Sequence, residues 1–276
     1  MRDTVSIITV TYNSVAMLRK TVDSVESQTY GNKEFVIIDG GSTDGTREYL
    51  MEHRDRIDAW ISEPDQGIFD AMNKGSKKAT GEWIIFLNSG DLFSNDKVLE
   101  DVFSADIPED ADVIYGDTVY SYGKEEYQEY RKSRELKHFW KGMLTSHQSF
   151  FVRKRIMAHR PFDTSYGVAA DFHQLYTLFM DGGTFLYRKM NVARVDTTGI
   201  SNNNKMIQSV LEHWSVVHRY SGITLYFPIY YLFWILTALL LSGAKLIVPA
   251  KVYIQIIRML RCGKRDHRTG IAGSIN

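Results

Sequence analysis

Three apolar runs that each stop at a polar, glycine-bearing or asparagine-bearing loop constrain this chain more than any other feature. Residues 5–10 (VSIITV) end at Thr11-Tyr12-Asn13-Ser14, residues 34–38 (EFVII) end at Asp39-Gly40-Gly41-Ser42-Thr43-Asp44-Gly45, and residues 83–87 (WIIFL) end at Asn88-Ser89-Gly90-Asp91. Short β-branched or aromatic runs bounded by such loops read as buried strands. After the first loop, Val15, Leu18, Val22 and Val25 recur at spacings of three and four, which predicts a helix with Asn13 or Ser14 as its cap. A second helix reads from about residue 44 to 53. Residues 60–62 (WIS) are a further short strand, followed by Glu63-Pro64-Asp65-Gln66-Gly67 and a helix from 68 to about 79. Repeated strand-loop-helix units predict a parallel sheet with right-handed crossovers. Because every unusual polar loop follows a strand, the loops gather along one edge, where open α/β sheets hold their ligands.

Beyond residue 98 the pattern loosens. Residues 111–118 and 149–152 read as strands, 171–180 as a helix, and 184–187 and 191–195 as two more strands, while 120–136 are charged and tyrosine-rich. A length of 276 residues suits one large α/β domain, alone or with an appendage. A formal net charge of zero argues against a nucleic-acid partner, but the charge is uneven. From Gly243 onward seven Lys or Arg stand against the single Asp266, which leaves the tail at +6 and the body at −6. The lone Cys262 forms no internal disulfide, and no Cys/His cluster has zinc-site spacing. The chain enters its first strand without a secretory leader, so a reducing, cytoplasmic setting is expected.

Taken in order, VSIITVTYN, EFVIIDGGSTDGT, EPDQGIFDAMNKG and ATGEWIIFLNSGD resemble the nucleotide-sugar half of the family 2 glycosyltransferases, an inverting family. The resemblance is strong from Thr4 to about Phe93, thinner to Gly199, and absent beyond. It implies the α/β A-type glycosyltransferase fold, with a central mixed, mostly parallel sheet flanked by helices. It also implies a nucleoside-diphosphate sugar as donor. Asp39 matches the family carboxylate that accepts hydrogen bonds from the base, which suits an ionised, acceptor-only group. Thr11, Tyr12 and Asn13 match the segment around the nucleoside, and Ser42 and Asp70 fall in matching donor-side loops, with Asp65 nearby. Asp70 reads equally as a surface helix residue.

The family implies a divalent cation, Mn or Mg, held by an Asp-x-Asp motif. This chain has Asn88-Ser89-Gly90-Asp91 there, so only Asp91 remains as a metal ligand, with Asn88, Ser89 and Gly90 lining the donor. Three possibilities follow: Asp91 alone holds the ion, binding is weak, or no metal is used. The segment Val168-Ala169-Ala170-Asp171-Phe172 matches the family motif that carries the catalytic base, which makes Asp171 the base. Its alternative is a helix N-cap. Ser146-His147-Gln148-Ser149 matches the acceptor side, with His147 and Gln148 as candidates for sugar or phosphate oxygens. Residues 198–201 resemble a loop that closes over the donor.

Residues 223–242 (ITLYFPIYYLFWILTALLLS) carry no charge over a length that reaches one membrane span. A single span would place the basic tail across the membrane from a cytoplasmic donor, against the positive-inside tendency. A hairpin broken near Pro228, or near Gly243 and Pro249, keeps both ends on one face. The expected organisation is a catalytic domain over 1–220 and an apolar, basic, helical tail over 221–276 on the cytoplasmic membrane surface, near anionic lipids. An apolar helix packed on protein is the alternative. The expected activity is transfer of a sugar to a glycan acceptor, by family context a lipid-linked saccharide, in cell-surface polysaccharide biosynthesis. A nucleotide-sugar-binding protein without turnover is the second reading. A nucleotidyltransferase is the third, weakened by the lack of a basic glycine-rich loop for a triphosphate.

Overall fold

The strand β1 (Val5–Thr11) is buried along its whole length. It has a parallel neighbour on each side, β2 (Lys33–Asp39) and β4 (Trp83–Phe86). A further strand, β3 (Ala59–Ser62), extends this parallel half beyond β2. The computed structural model describes residues 3–122, 128–197, 206–221 and 226–247. Three helices connect the parallel strands: α1 (Val15–Glu26), α2 (Thr46–Glu52) and α3 (Ile68–Lys78). α1 buries Leu18, Thr21, Val22 and Val25, the face its apolar spacing predicts. α3 lies so close to the sheet that a Cβ on Gly75 would stand 2.4 Å from Ile8 Cγ2.

The second half comprises β5 (Leu92–Phe93), α4 (Val98–Phe103), β6 (Ala111–Ser121), β7 (Gln128–Arg131), β8 (Phe150–Arg153), α5 (Lys154–His159), α6 (Ala170–Met180) and β9 (Thr184–Asp196). The strand order is β3-β2-β1-β4-β8-β6-β9-β5, with β7 paired to β6. β8 is antiparallel to both β4 and β6, β9 is parallel to β6, and β5 is antiparallel to β9. The sheet is therefore mixed in equal measure, which corrects the expectation of a mostly parallel one. The strand-loop-helix repeat that gives parallel pairing ends at β4; of the later strands, β5, β7 and β8 pair antiparallel, while β9, which follows α6, runs parallel to β6.

The two strands expected at 184–187 and 191–195 are one strand, β9, with an irregularity between them. Tyr187 pairs with Tyr115 but Asn191 pairs with Asp117, so extra β9 residues face Gly116. A Cβ on Gly116 would lie 2.7 Å from Met190 O, and glycine accommodates this bulge. Beneath the parallel half, Trp83, Phe103 and Phe151 meet edge to face, with centroids 5.9 and 5.3 Å apart. A second cluster gathers Phe172, Tyr176, Phe179 and Phe185 around the fully buried Phe139.

The chain divides into two compact units, Met1–Ile223 and Thr224–Asn276. The first ends with α7 (Met206–Ser221), which packs on α6. In the second, α8 (Tyr226–Ile247) is one uninterrupted helix. The expected break at Pro228 or Gly243 does not occur. Pro228 stands in the first turn, where a missing N–H costs nothing, and a single glycine is tolerated within a helix. Ile229, Leu232, Phe233, Leu236 and Leu239 are all exposed at spacings of three and four, an apolar stripe on one face. Among the described residues, no helix is long and apolar enough to cross a membrane. The expected closing loop at 198–201, Pro249, Cys262 and the basic run after 250 lie outside the described residues.

Candidate active site

The loops after β1, β2 and β4 meet at one edge of the sheet and bond to one another. Asn13, in the left-handed region at φ 46°, donates its N–H to Ser42 Oγ at 2.7 Å and accepts from Thr43 N at 2.8 Å through Oδ1. α1 was expected to be capped by Asn13 or Ser14. Ser14 is the N-cap residue, but its hydroxyl makes no cap bond. Asp44 of the second loop fills that role, accepting from Val15 N at 2.9 Å, and its other oxygen takes Thr46 N and Oγ1 at the start of α2. Burial pushes the Asp44 carboxyl up, but these bonds outweigh it and hold it below the usual carboxylate range.

Asp39 is fully buried and accepts from Ser42 N, Ser42 Oγ and Ser62 Oγ, the last at 2.6 Å. Beside it, Gly40 leaves a gap that no side chain could fill: a Cβ would meet Asp65 Oδ2 at 2.5 Å and Tyr12 Cδ2 at 3.3 Å. The Tyr12 ring, 63% exposed, and the Asp65 carboxylate thus converge over bare backbone. Thr11 is 5% exposed and its Oγ1 is buried without a partner. Asp70 is engaged locally, accepting from Gln66 N at 3.0 Å and pairing with Lys74 at 3.5 Å at the start of α3.

The Asn88-Ser89-Gly90-Asp91 segment is a turn closed by Asp91 N donating to Asn88 O at 2.8 Å, with Gly90 at φ 98°. A side chain would be strained at that φ, which gives a backbone reason for glycine at this position. Thr21 of α1 staples the turn, accepting from Gly90 N and donating to Asp91 O, both at 2.9 Å. Ser89 faces α1, donating to Ser14 O at 3.3 Å.

Asn88 points the other way, toward the second half of the sheet. Its Nδ2 lies 3.1 Å from His147 Nε2, and His147 Nδ1 lies 3.5 Å from Asp171 Oδ2. Asn88 Oδ1 is buried without a partner. Burial pushes the His147 imidazolium down, against an opposing pull from Asp171, so the ring is neutral near pH 7. The amide donor on Nε2 leaves the proton on Nδ1, facing the carboxylate. Asp171 is the second residue of α6, whose N-cap is Ala169; its Oδ1 accepts from the first-turn Phe172 N at 2.7 Å, which leaves Oδ2 facing His147. Its side chain is 15% exposed.

Gln148 turns inward. It is 5% exposed and donates from Nε2 to Asp91 Oδ2 at 2.6 Å, while Ser146 Oγ bonds its Oε1. Asp91 Oδ1 accepts from Asp196 N at 3.1 Å at the end of β9. Burial raises the Asp91 carboxyl to about 7, against the two hydrogen bonds and with help from the Asp196 charge.

Residues 6–173, more than half of the sequence, match the family model described as Glycosyl transferase family 2. The chain belongs to glycosyl transferase family 2. It is 38% identical over 126 residues to a PGL/p-HBAD biosynthesis glycosyltransferase of Mycobacterium bovis, a match covering 41% of this chain and 46% of that one. The chain spans less than half the length of the curated relatives it matches. S. aureus TarS in complex with UDP-GlcNAc superposes at a TM-score of 0.66 and 16% identity, over 93% of this chain and 79% of that one. The mannosyltransferase PcManGT of Pyrobaculum calidifontis, in complex with GDP-Man and Mn2+, superposes at 0.63 and 16% identity, over 95% and 80%. These likenesses establish the A-type fold.

The divalent cation associated with family 2 does not fit the donor set found here. The expected ligand Asp91 is 6% exposed, with both oxygens bonded inward, to Gln148 and to the Asp196 backbone. Among the described residues, no group of three or more His, Cys, Asp or Glu side chains is arranged to hold a metal. Asn88 Oδ1 is the unpartnered oxygen of the turn, and it is neutral. Sequence reasoning missed the roles of Thr21, Asp44 and Asp196. Asp44 lies within a quoted loop, but the target of its carboxylate is another loop's helix, and no local pattern records that.

Proposed function

We propose that this chain is an inverting glycosyltransferase that moves a sugar from a nucleoside-diphosphate sugar to a glycan acceptor carried on lipid, in cell-surface polysaccharide or glycolipid synthesis. The observation that carries the reading is the contact chain Asn88–His147–Asp171, reached from the loop after β4, at the same sheet edge as the Tyr12–Gly40–Asp65 cradle. The cradle suits a nucleoside, with the exposed tyrosine ring and bare backbone on either side of it. Asp171 acts as the base: it takes the proton of the acceptor hydroxyl as that oxygen bonds to the anomeric carbon, while the carbon's bond to the diphosphate oxygen breaks on the opposite face and the nucleoside diphosphate leaves, which inverts the configuration. His147, neutral, with its Nδ1–H toward Asp171, orients the carboxylate.

The acceptor and the cytoplasmic membrane surface are supported by the exposed apolar stripe of α8 and by the basic residues that follow it in sequence, a combination suited to lying in the interface rather than crossing it. The role of the mycobacterial relative in PGL/p-HBAD biosynthesis points to the same class of product.

Calorimetric titration with a panel of nucleoside-diphosphate sugars, followed by assay of nucleoside-diphosphate release, tests the reading. Asp171→Asn should bind the donor as the parent does and lose about 10²- to 10⁴-fold in turnover. Parental turnover by that variant would remove Asp171 as base, and failure of every donor to bind would remove the donor assignment.

A further inference from the structure

The helix that carries Asp171 starts without a cap of its own, because its N-cap residue is Ala169. A helix start leaves several N–H groups unsatisfied, and these favour an anion. The anion comes from α7. Glu212 accepts from Gly167 N at 3.1 Å, Val168 N at 2.9 Å and Ala169 N at 2.9 Å, and Gln208 Nε2 fixes its carboxylate at 2.7 Å from one turn earlier. The approach is close: a Cβ on Gly167 would stand 2.5 Å from Gln208 Nε2. Burial pushes the Glu212 carboxyl up, but the bonds from Val168, Gln208, Ala169 and Gly167 outweigh it and keep it ionised well into the acid range.

On the far side of Asp171 the same helix grips again. The His213 ring lies on Phe172 with centroids 4.3 Å apart, Tyr220 OH is 3.2 Å from His173 Nε2, and Ser221 bonds Tyr176 OH. The backbone before Asp171 and the side chains after it are therefore held by α7, while Asp171 itself faces His147. Asp171 Oδ1 accepts from Phe172 N at 2.7 Å, which leaves Oδ2 for His147. Without Glu212, the freed Ala169 N–H would compete for that carboxylate, since acidic residues in a first turn fold back onto the N-cap amide. Such a turn would draw the base away from His147.

We propose that Glu212 is a positioning residue for sugar transfer, which satisfies the amides of residues 167–169 so that the Asp171 carboxylate stays directed at His147 and the acceptor hydroxyl. The proposal rests on Asp171 as the base.

The test uses the full chain, with UDP-GlcNAc, UDP-glucose, GDP-mannose and dTDP-rhamnose as donors and nucleoside-diphosphate release as the readout. Glu212→Gln keeps the shape of the side chain and one good acceptor, and should lower kcat about 10-fold or more, toward the 100-fold that an ångström-scale misplacement can cost. Donor KM and melting temperature should stay near the parental values. Glu212→Ala should lose more, and the Glu212→Gln, Asp171→Asn double variant should be no slower than Asp171→Asn alone, since both act through one group. Parental kcat in Glu212→Gln, or additive losses in the double variant, would overturn the proposal. If Glu212→Ala fails to fold, Glu212→Gln decides. Undiminished turnover in Asp171→Asn, or none by the parent on any donor, would instead strike the base assignment or the donor reading on which this one stands.

Discussion

Asp91 lies at the end of the strand-terminating turn, yet its side chain belongs to the interior, between Gln148 and the backbone of Asp196. Its folded value of about 7 stands above the 3.8 of the free side chain. The folded chain therefore holds a proton that the unfolded chain releases between those two values. The stability associated with that proton is fully present below about pH 3.8, falls as pH rises and is lost on passing through about 7. At about 1.4 kcal/mol per unit, the effect is on the order of a few kcal/mol. Asp91→Asn, which stays neutral throughout, should flatten the pH dependence of thermal melting across that window; an unchanged slope would assign the effect to another group. The same variant should bind donor with the parental response to added Mn2+, measured calorimetrically, because the replaced oxygens face the interior. The positions of Asp39 at the end of β2, Asn88 in the turn after β4 and Asp171 in the first turn of α6 were legible in the sequence because the apolar runs and their bounding loops mark those element ends. The inward turn of Asp91 and Gln148 was not, since burial of a polar side chain depends on β9, whose Asp196 lies far along the chain.

At the scale of elements, the succession from β1 to β4 was legible because apolar period and loop chemistry agree there. Residues 120–136 were not, since β7 is a short strand with exposed and half-exposed residues and no alternation to read. The break between the two expected strands at 184–195 was a sound reading of a real discontinuity: the bulge opposite Gly116 interrupts the pattern while the strand continues. α3 offers a direct check on how tightly the donor-side helices are packed. Gly75→Ala would force a methyl group against Ile8 and should cost about 1–3 kcal/mol, the usual penalty for overpacking a filled core. Urea unfolding monitored by tryptophan fluorescence would report it, and a loss under half a kcal/mol would mean that α3 can shift away from the sheet.

At the scale of the whole molecule, the residues through Ile223 form one compact unit with its own sheet and core. A chain ended after Ile223 should melt cooperatively, bind the nucleotide-sugar donor with unchanged affinity and remain unbound to vesicles of phosphatidylglycerol and phosphatidylcholine, whereas the full chain should float with them. Flotation of the shortened chain would place the membrane contact elsewhere than α8 and the residues beyond it. The uninterrupted course of α8 shows why a break at Pro228 was the wrong inference: a proline in the first turn begins a helix as readily as it ends one.

The cross-bonding of the first two loops bears on any attempt to change what this chain recognises. Asn13 holds Ser42 and Thr43, and Asp44 in turn holds the start of α1. A second loop borrowed from a relative with another residue at the Asp44 position would release α1, and with it Thr21, which fastens the turn after β4. Redesign of donor preference must therefore transplant these segments as a set, because the three loops form one mechanical part.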